Sequence, residues 1–177
     1  MTWATRPTDN LWHMPDFDDL LAANRNYAQN FGLSGFDGIA HAGVAMVTCM
    51  DSRIDPLRMI GLEAGDAKIL RNPGGRVTDA ALAALVLSIA TLKVRRILIV
   101  EHTRCAMASA TEEELQARIG ASAGADASWM TLGAITDQEK TVRADLHRIR
   151  SHPFIPADVA VGGFIYDVDT GLLNPVP

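Results

Sequence analysis

The sequence predicts an α/β domain with a mostly parallel central β-sheet flanked by helices. Strand-like and helix-like segments alternate from Val44 onward, the pattern of chains that wind helices over a sheet. The run Ile97-Leu98-Ile99-Val100 is apolar at every position, as in a strand buried on both faces with parallel neighbours. A length of 177 residues with 48% hydrophobic residues suits one core, so residues 1–177 are expected to form a single domain.

Residues 1–16 read as an N-terminal arm. An amphipathic helix follows over 17–30, where Leu20, Leu21, Ala23, Tyr27 and Ala28 recur at helical spacing and offer a face to the sheet or to a partner subunit. Val44 to Thr48 reads as a short buried strand, Asp55 to Leu62 as a helix with Pro56 in its first turn, and Ala67 to Leu70 as a second strand. Thr78 has the hydroxyl to cap an Ala- and Leu-rich helix reaching Leu92. Arg96 to Glu101 is the central strand. Thr111 before Glu112, Glu113 and Glu114 opens another helix with acidic groups at the positive end of its dipole, and Gln138 to Arg150 forms one more. Gly120 to Gly133 has small residues without clear periodicity and reads as a mobile loop. Val159 to Tyr166 is a final long strand, with Asp169, Thr170 and Gly171 turning into a short return segment.

Charge narrows the function classes. A net charge of −5 argues against a broad basic surface for nucleic acid or anionic lipid and leaves a small-molecule substrate. No apolar run reaches the roughly 18 residues of a membrane span, and the first ten residues lack the pattern of a signal peptide, so the cytoplasm is the expected compartment.

The two cysteines carry the chemistry. Cys49 and Cys105 each follow an apolar run, with Asp51 two residues after the first and His102 three residues before the second. In a reducing compartment such a cluster binds metal or does catalysis more often than it forms a disulfide. Thiolates and imidazole are the usual zinc ligands, and three of them leave the fourth position of a catalytic site open. Cys49 follows the first strand, and His102 with Cys105 follows the third. All three therefore fall at carboxyl ends of parallel strands, where open α/β sheets bind ligands. Arg71 to Gly75 reads either as a turn that needs glycine or as a nest of backbone amides lining a pocket.

Cys49-Met50-Asp51-Ser52-Arg53, Arg71-Asn72-Pro73-Gly74-Gly75 and His102-Thr103-Arg104-Cys105 resemble, in order, the three signature blocks of the β-class carbonic anhydrases. The resemblance runs from about Asp18 to Asn174. It implies a dimer as the minimal unit, with the N-terminal helix used in its packing, and zinc held by Cys49, His102 and Cys105. It pairs Asp51 with Arg53 as a catalytic dyad, and it sets Ser52, Asn72, Gly74 and Gly75 around the substrate. The implied reaction is reversible hydration of carbon dioxide to bicarbonate and a proton by zinc-activated hydroxide, with Asp51 orienting the nucleophile and Arg53 keeping Asp51 ionised. Family members can also close, with the aspartate as a fourth ligand in place of water.

Other readings stand beside this one. Relatives on the same fold hydrolyse carbonyl sulfide or carbon disulfide, and the motifs alone do not separate these substrates. A permanent Asp51 ligand would make the zinc structural and the protein a binding module, a site that would not require Arg53. Arg104 stands where an acidic residue is common, bringing positive charge near the metal or pairing with a neighbour such as Glu101. Ala106 stands where glycine is common. His13, His41, His147 and His152 lack nearby partner ligands, and Trp3, Trp12 and Trp129 suit packing or subunit contacts better than chemistry.

Overall fold

The structure is a computed structural model that describes residues 15–177. Most of the expected arm, with Trp3, Trp12 and His13, lies outside the described residues. The chain divides between Phe36 and Asp37 into two units. In the first, a 3-10 turn at Pro15–Phe17 leads into helix α1, Asp18–Ala28, none of whose residues is buried.

The second unit holds the sheet. Strands β1 (Val44–Cys49), β2 (Ala67–Asn72), β3 (Arg96–His102), β4 (Ala160–Tyr166) and β5 (Leu173–Val176) are ordered β2-β1-β3-β4-β5. The first four run parallel, and β5 returns antiparallel along β4 through the turn after Asp167. The central run behaves as its composition requires, with Ile97, Ile99 and Val100 all buried between parallel neighbours. Because β1 lies between β2 and β3, the order of strands reverses there, and the β1/β3 boundary is the switch point at which such sheets open a crevice.

Helices α2 (Asp79–Thr91), α3 (Glu112–Ala123) and α4 (Gln138–Arg150) complete the unit. Each has the cap its sequence supplies. The Thr78 hydroxyl accepts from the Ala81 amide, Thr111 and Glu114 form a reciprocal capping box, and the Asp137 carboxylate accepts from the Lys140 amide. One face of the sheet, with Ala45, Val47, Ile97 and Ile99, packs in a single core with Leu85 and Ile89 of α2 and Val142, Leu146 and Ile149 of α4. Helix α4 lies so close to β4 that a methyl group on Gly163 would sit 2.3 Å from Val142 Cγ1.

Two segments differ from expectation. Asp55 to Leu62 is not a helix. It forms one 3-10 turn, Arg58–Ile60, closed by Gly61 in the left-handed region. So short a segment, with no buried face in that turn, cannot repay helix nucleation. Residues 120–133 begin as the last turn of α3, which Gly124 caps, and the remainder is tied down. The Glu112 carboxylate accepts from the amides of Leu132, Gly133 and Ala134, and Gln116 Nε2 donates to the Met130 carbonyl. These ties span distant positions, and a local sequence window does not reveal them.

Candidate metal centre

Cys49 is the last residue of β1, and His102 is the last of β3, the strand beside it. A turn after β3 then brings Cys105 back. The donor atoms of Cys49, His102 and Cys105 lie within 4.8 Å of one another, and all three residues are buried. The two sulfurs stand 3.9 Å apart. Two thiolates on a tetrahedral zinc, at the usual Zn–S length, are separated by about 3.8 Å. His102 Nδ1 donates to the Thr103 carbonyl at 2.9 Å, which fixes the tautomer and leaves the lone pair on Nε2. That Nε2 is buried without a hydrogen bond. A soft donor pair at the right spacing and an orphaned, pre-oriented imidazole nitrogen fit zinc.

The thiols are poised unequally. The Cys105 thiol donates to Cys49, and the backbone amides of Asp51 and Gly74 add to it, so the Cys49 thiol is held well below its ordinary value although burial opposes this. Cys105, keeping the shared proton beside that thiolate in a buried place, is pushed up. Burial disfavours a charge on His102, but the nearby Cys49, the Thr103 carbonyl and Asp51 together raise its pKa.

Beside the cluster, Asp51 Oδ2 lies 3.8 Å from His102 Nε2. Arg53 grips this carboxylate with both prongs, Nε donating to Oδ1 at 2.9 Å and Nη2 to Oδ2 at 2.8 Å, while the Arg53 amide donates to Oδ1. These bonds hold Asp51 well below the usual carboxylate range. The loop that carries the pair is organised by Arg71, whose guanidinium donates to the carbonyls of Cys49, Asp51 and Ile54. Asn72 spends its amide on its own loop, accepting from the Arg76 amide and donating to the Arg76 carbonyl. Ser52 is exposed.

The glycine loop sits against the ligands. Gly74 and Gly75 are both left-handed, and the Gly74 amide is directed at the Cys49 sulfur. A methyl group on Gly75 would lie 2.7 Å from the Val100 carbonyl and 3.0 Å from the Cys49 amide nitrogen. Ala106 is exposed and begins a 3-10 turn whose following amides, Met107 and Ala108, donate to Cys105. Ile54, Met59, Met107 and Tyr166 pack around the two cysteines as an apolar lining. Among the described histidines His41, His147 and His152 stand apart from this cluster.

A family model for carbonic anhydrase matches residues 44–173. The chain belongs to the β-carbonic anhydrase family. It is 36% identical over 160 residues to β-carbonic anhydrase 1 of Mycobacterium tuberculosis, covering 90% of this chain and 96% of that one. The crystal structure of a carbonic anhydrase from Streptococcus mutans superposes with a TM-score of 0.84 at 38% identity, covering 93% of this chain and 99% of that one. The chain is also 28% identical over 165 residues to a carbon disulfide hydrolase of Acidithiobacillus thiooxidans, covering 79% of this chain and 75% of that one.

For a β-carbonic anhydrase, this chain carries three features that sequence reading did not place. Arg104 does not pair with Glu101; it turns outward to Asp169, in the turn between β4 and β5. Glu101 is instead fully buried, with neither carboxylate oxygen hydrogen-bonded, and burial pushes its pKa up to about 8. The charge of Arg76 opposes this rise, but Arg76 is already bidentate on Asp145. Arg71 proves to be the organiser of the Asp51 loop. Glu101 leaves a trace in the sequence as a lone carboxylate at the end of an apolar strand, and Arg104 as a basic residue where an acidic one is common; the reach of Arg71 leaves none.

Proposed function

We propose that this β-carbonic anhydrase family member hydrates carbon dioxide reversibly to bicarbonate and a proton, using zinc held by Cys49, His102 and Cys105. Zinc at such a site supplies a Lewis acid that acidifies water toward neutral pH. The reading rests above all on one observation: Asp51 is held by Arg53 with its Oδ2 3.8 Å from the orphaned His102 nitrogen, beside the donor cluster and not within it. Asp51, kept ionised by Arg53, accepts the hydrogen bond of the attacking oxygen and directs its lone pair toward the substrate carbon. Arg53 holds that carboxylate in its fork, which would keep it from serving as a further ligand to a zinc held by Cys49, His102 and Cys105. The apolar lining from Ile54, Met59, Met107 and Tyr166 suits a small, uncharged substrate. Loss of the Arg53 grip would free Asp51 to close the site.

Hydrolysis of carbon disulfide or carbonyl sulfide is the second reading, supported by the similarity to carbon disulfide hydrolases. The higher identity and fuller coverage of the carbonic anhydrases favour hydration. A third reading, a non-catalytic zinc module, gives the Asp51–Arg53 pair no task. Stopped-flow hydration of carbon dioxide at mildly alkaline pH, measured beside sulfide release from carbonyl sulfide and carbon disulfide, tests all three. Fast hydration with little sulfide is expected; ready sulfide release with slow hydration would install the second reading, and silence in every assay the third.

The same proposal makes the molecule a homodimer or a higher homo-oligomer. Its support is the family resemblance together with α1, which exposes Leu20, Leu21 and Tyr27. A cytoplasmic location accords with two free cysteines in one cluster.

A further inference from the structure

Arg104 is one of two non-glycine residues described with a positive φ, at 54°, and it stands between two members of the donor cluster. A left-handed arginine is strained, and such strain persists only where the surroundings impose it. Two contacts of this residue bear on the turn, one of its carbonyl and one of its side chain. The turn makes the Arg104 carbonyl accept from Arg53 Nη2 at 3.2 Å, the same nitrogen that donates to Asp51 Oδ2. Both hydrogens of that nitrogen are then engaged, which sets the plane of the guanidinium fork. The Arg104 side chain, for its part, is anchored on the Asp169 carboxylate.

The anchor is itself well founded. Asp169 lies in a turn closed by the Asp169 amide donating to Asp167 Oδ1 and the Gly171 amide donating to the Asp167 carbonyl. That turn also meets the residue before Arg104. The Thr103 amide donates to the Tyr166 carbonyl, and the Val168 amide donates to the Thr103 hydroxyl oxygen. The segment after β3 is thus docked on the β4–β5 turn at two successive residues. An exposed ion pair adds little to overall stability, but a tether that selects one backbone conformation acts on geometry.

We infer that Asp169 and Arg104 are positioning residues: their ion pair holds Arg104 in the left-handed turn whose carbonyl fixes the Arg53 fork on Asp51. The inference rests on the reading of Asp51 and Arg53 given above and deepens it. The chain runs from Asp169 to Arg104, to Arg53, to Asp51, and ends at the donor cluster.

The test uses the zinc-loaded protein and two readouts. One is the hydrogen-exchange rate of the Arg53 Nε–H, followed by NMR and assigned by its disappearance in Arg53→Lys; the other is the split of carbon dioxide hydration into kcat and KM. Asp169→Asn and Arg104→Ala should each speed that exchange and lower kcat about tenfold, the lower end for losing an outer partner of a metal site, with KM and zinc content unchanged. Arg104→Gly, which adopts the turn without strain, should behave as wild type, and adding Asp169→Asn to it should change nothing further. Wild-type exchange and kcat in Arg104→Ala would overturn the inference, as would an Arg104→Gly variant that loses as much as Arg104→Ala. If the wild-type protein hydrates no carbon dioxide, the functional reading falls, while the Arg53 exchange rates still decide whether the tether exists.

Discussion

His102 shows how one side chain is prepared for a metal. Its Nδ1 is committed to the Thr103 carbonyl, its Nε2 is buried without a partner, and two sulfurs lie within reach of that nitrogen. A buried polar atom left unpaired costs about 1–3 kcal/mol, so the arrangement is explained by a ligand that repays it. Cys49→Ser and His102→Ala should therefore abolish stoichiometric zinc, as measured by metal analysis after dialysis. The Cys49-x-Asp51 and His102-x-x-Cys105 spacings made this cluster legible in the sequence, because ligand type and strand ends are both local signals. The outward course of Arg104 was not legible, since its partner Asp169 is brought near only by the β4–β5 turn.

At the scale of elements, the site is made by where strands stop. Cys49 and His102 end adjacent parallel strands, and the Pro73–Gly75 turn after β2 packs against both strand ends. Gly75→Ala would force a methyl group onto the Val100 carbonyl and place a side chain at a φ of 73°. Its cost should be about 2 kcal/mol or more in denaturant unfolding, from strain and overpacking together. The segment after α3 is held differently. Glu112 accepts from three successive amides, and these bonds, led by those from Ala134 and Leu132, lower its pKa. A lowered folded pKa contributes stability above the unfolded carboxylate value of about 4.3, and that contribution is lost as pH falls through the folded value. The protection factors of the Leu132 to Ala134 amides, exchange rates corrected for the intrinsic pH dependence, should accordingly fall in Glu112→Gln at neutral pH, and in the wild type only as pH drops through the folded value of Glu112. Helix starts at Thr78 and Thr111 were readable from their caps; the Asp137 cap came from the structure, and the hold of Glu112 on residues 132–134 was not readable, because no window contains both ends.

For the whole molecule, the donor cluster joins β1 to β3 at the switch point of the sheet. Zinc bound there would staple two central strands, and it would stabilise the folded chain by mass action because the unfolded chain offers no such preformed site. Chelation should lower the melting temperature by about 10 °C, read by calorimetry with and without chelator. The parallel order of the sheet was legible from the doubly buried run at Ile97 to Val100, whereas the lone 3-10 turn at Arg58–Ile60 in place of a helix was set by Gly61 and by the absence of a buried face.

The central claim is that Asp51 acts on the nucleophile and does not hold the metal. Stopped-flow hydration of carbon dioxide by Asp51→Ala and wild type, with zinc determined on the same samples, tests it most directly. The account predicts full zinc in both proteins and a fall in turnover of about 10–100-fold in the variant. Wild-type turnover in the variant, or zinc lost together with the carboxylate, would contradict it.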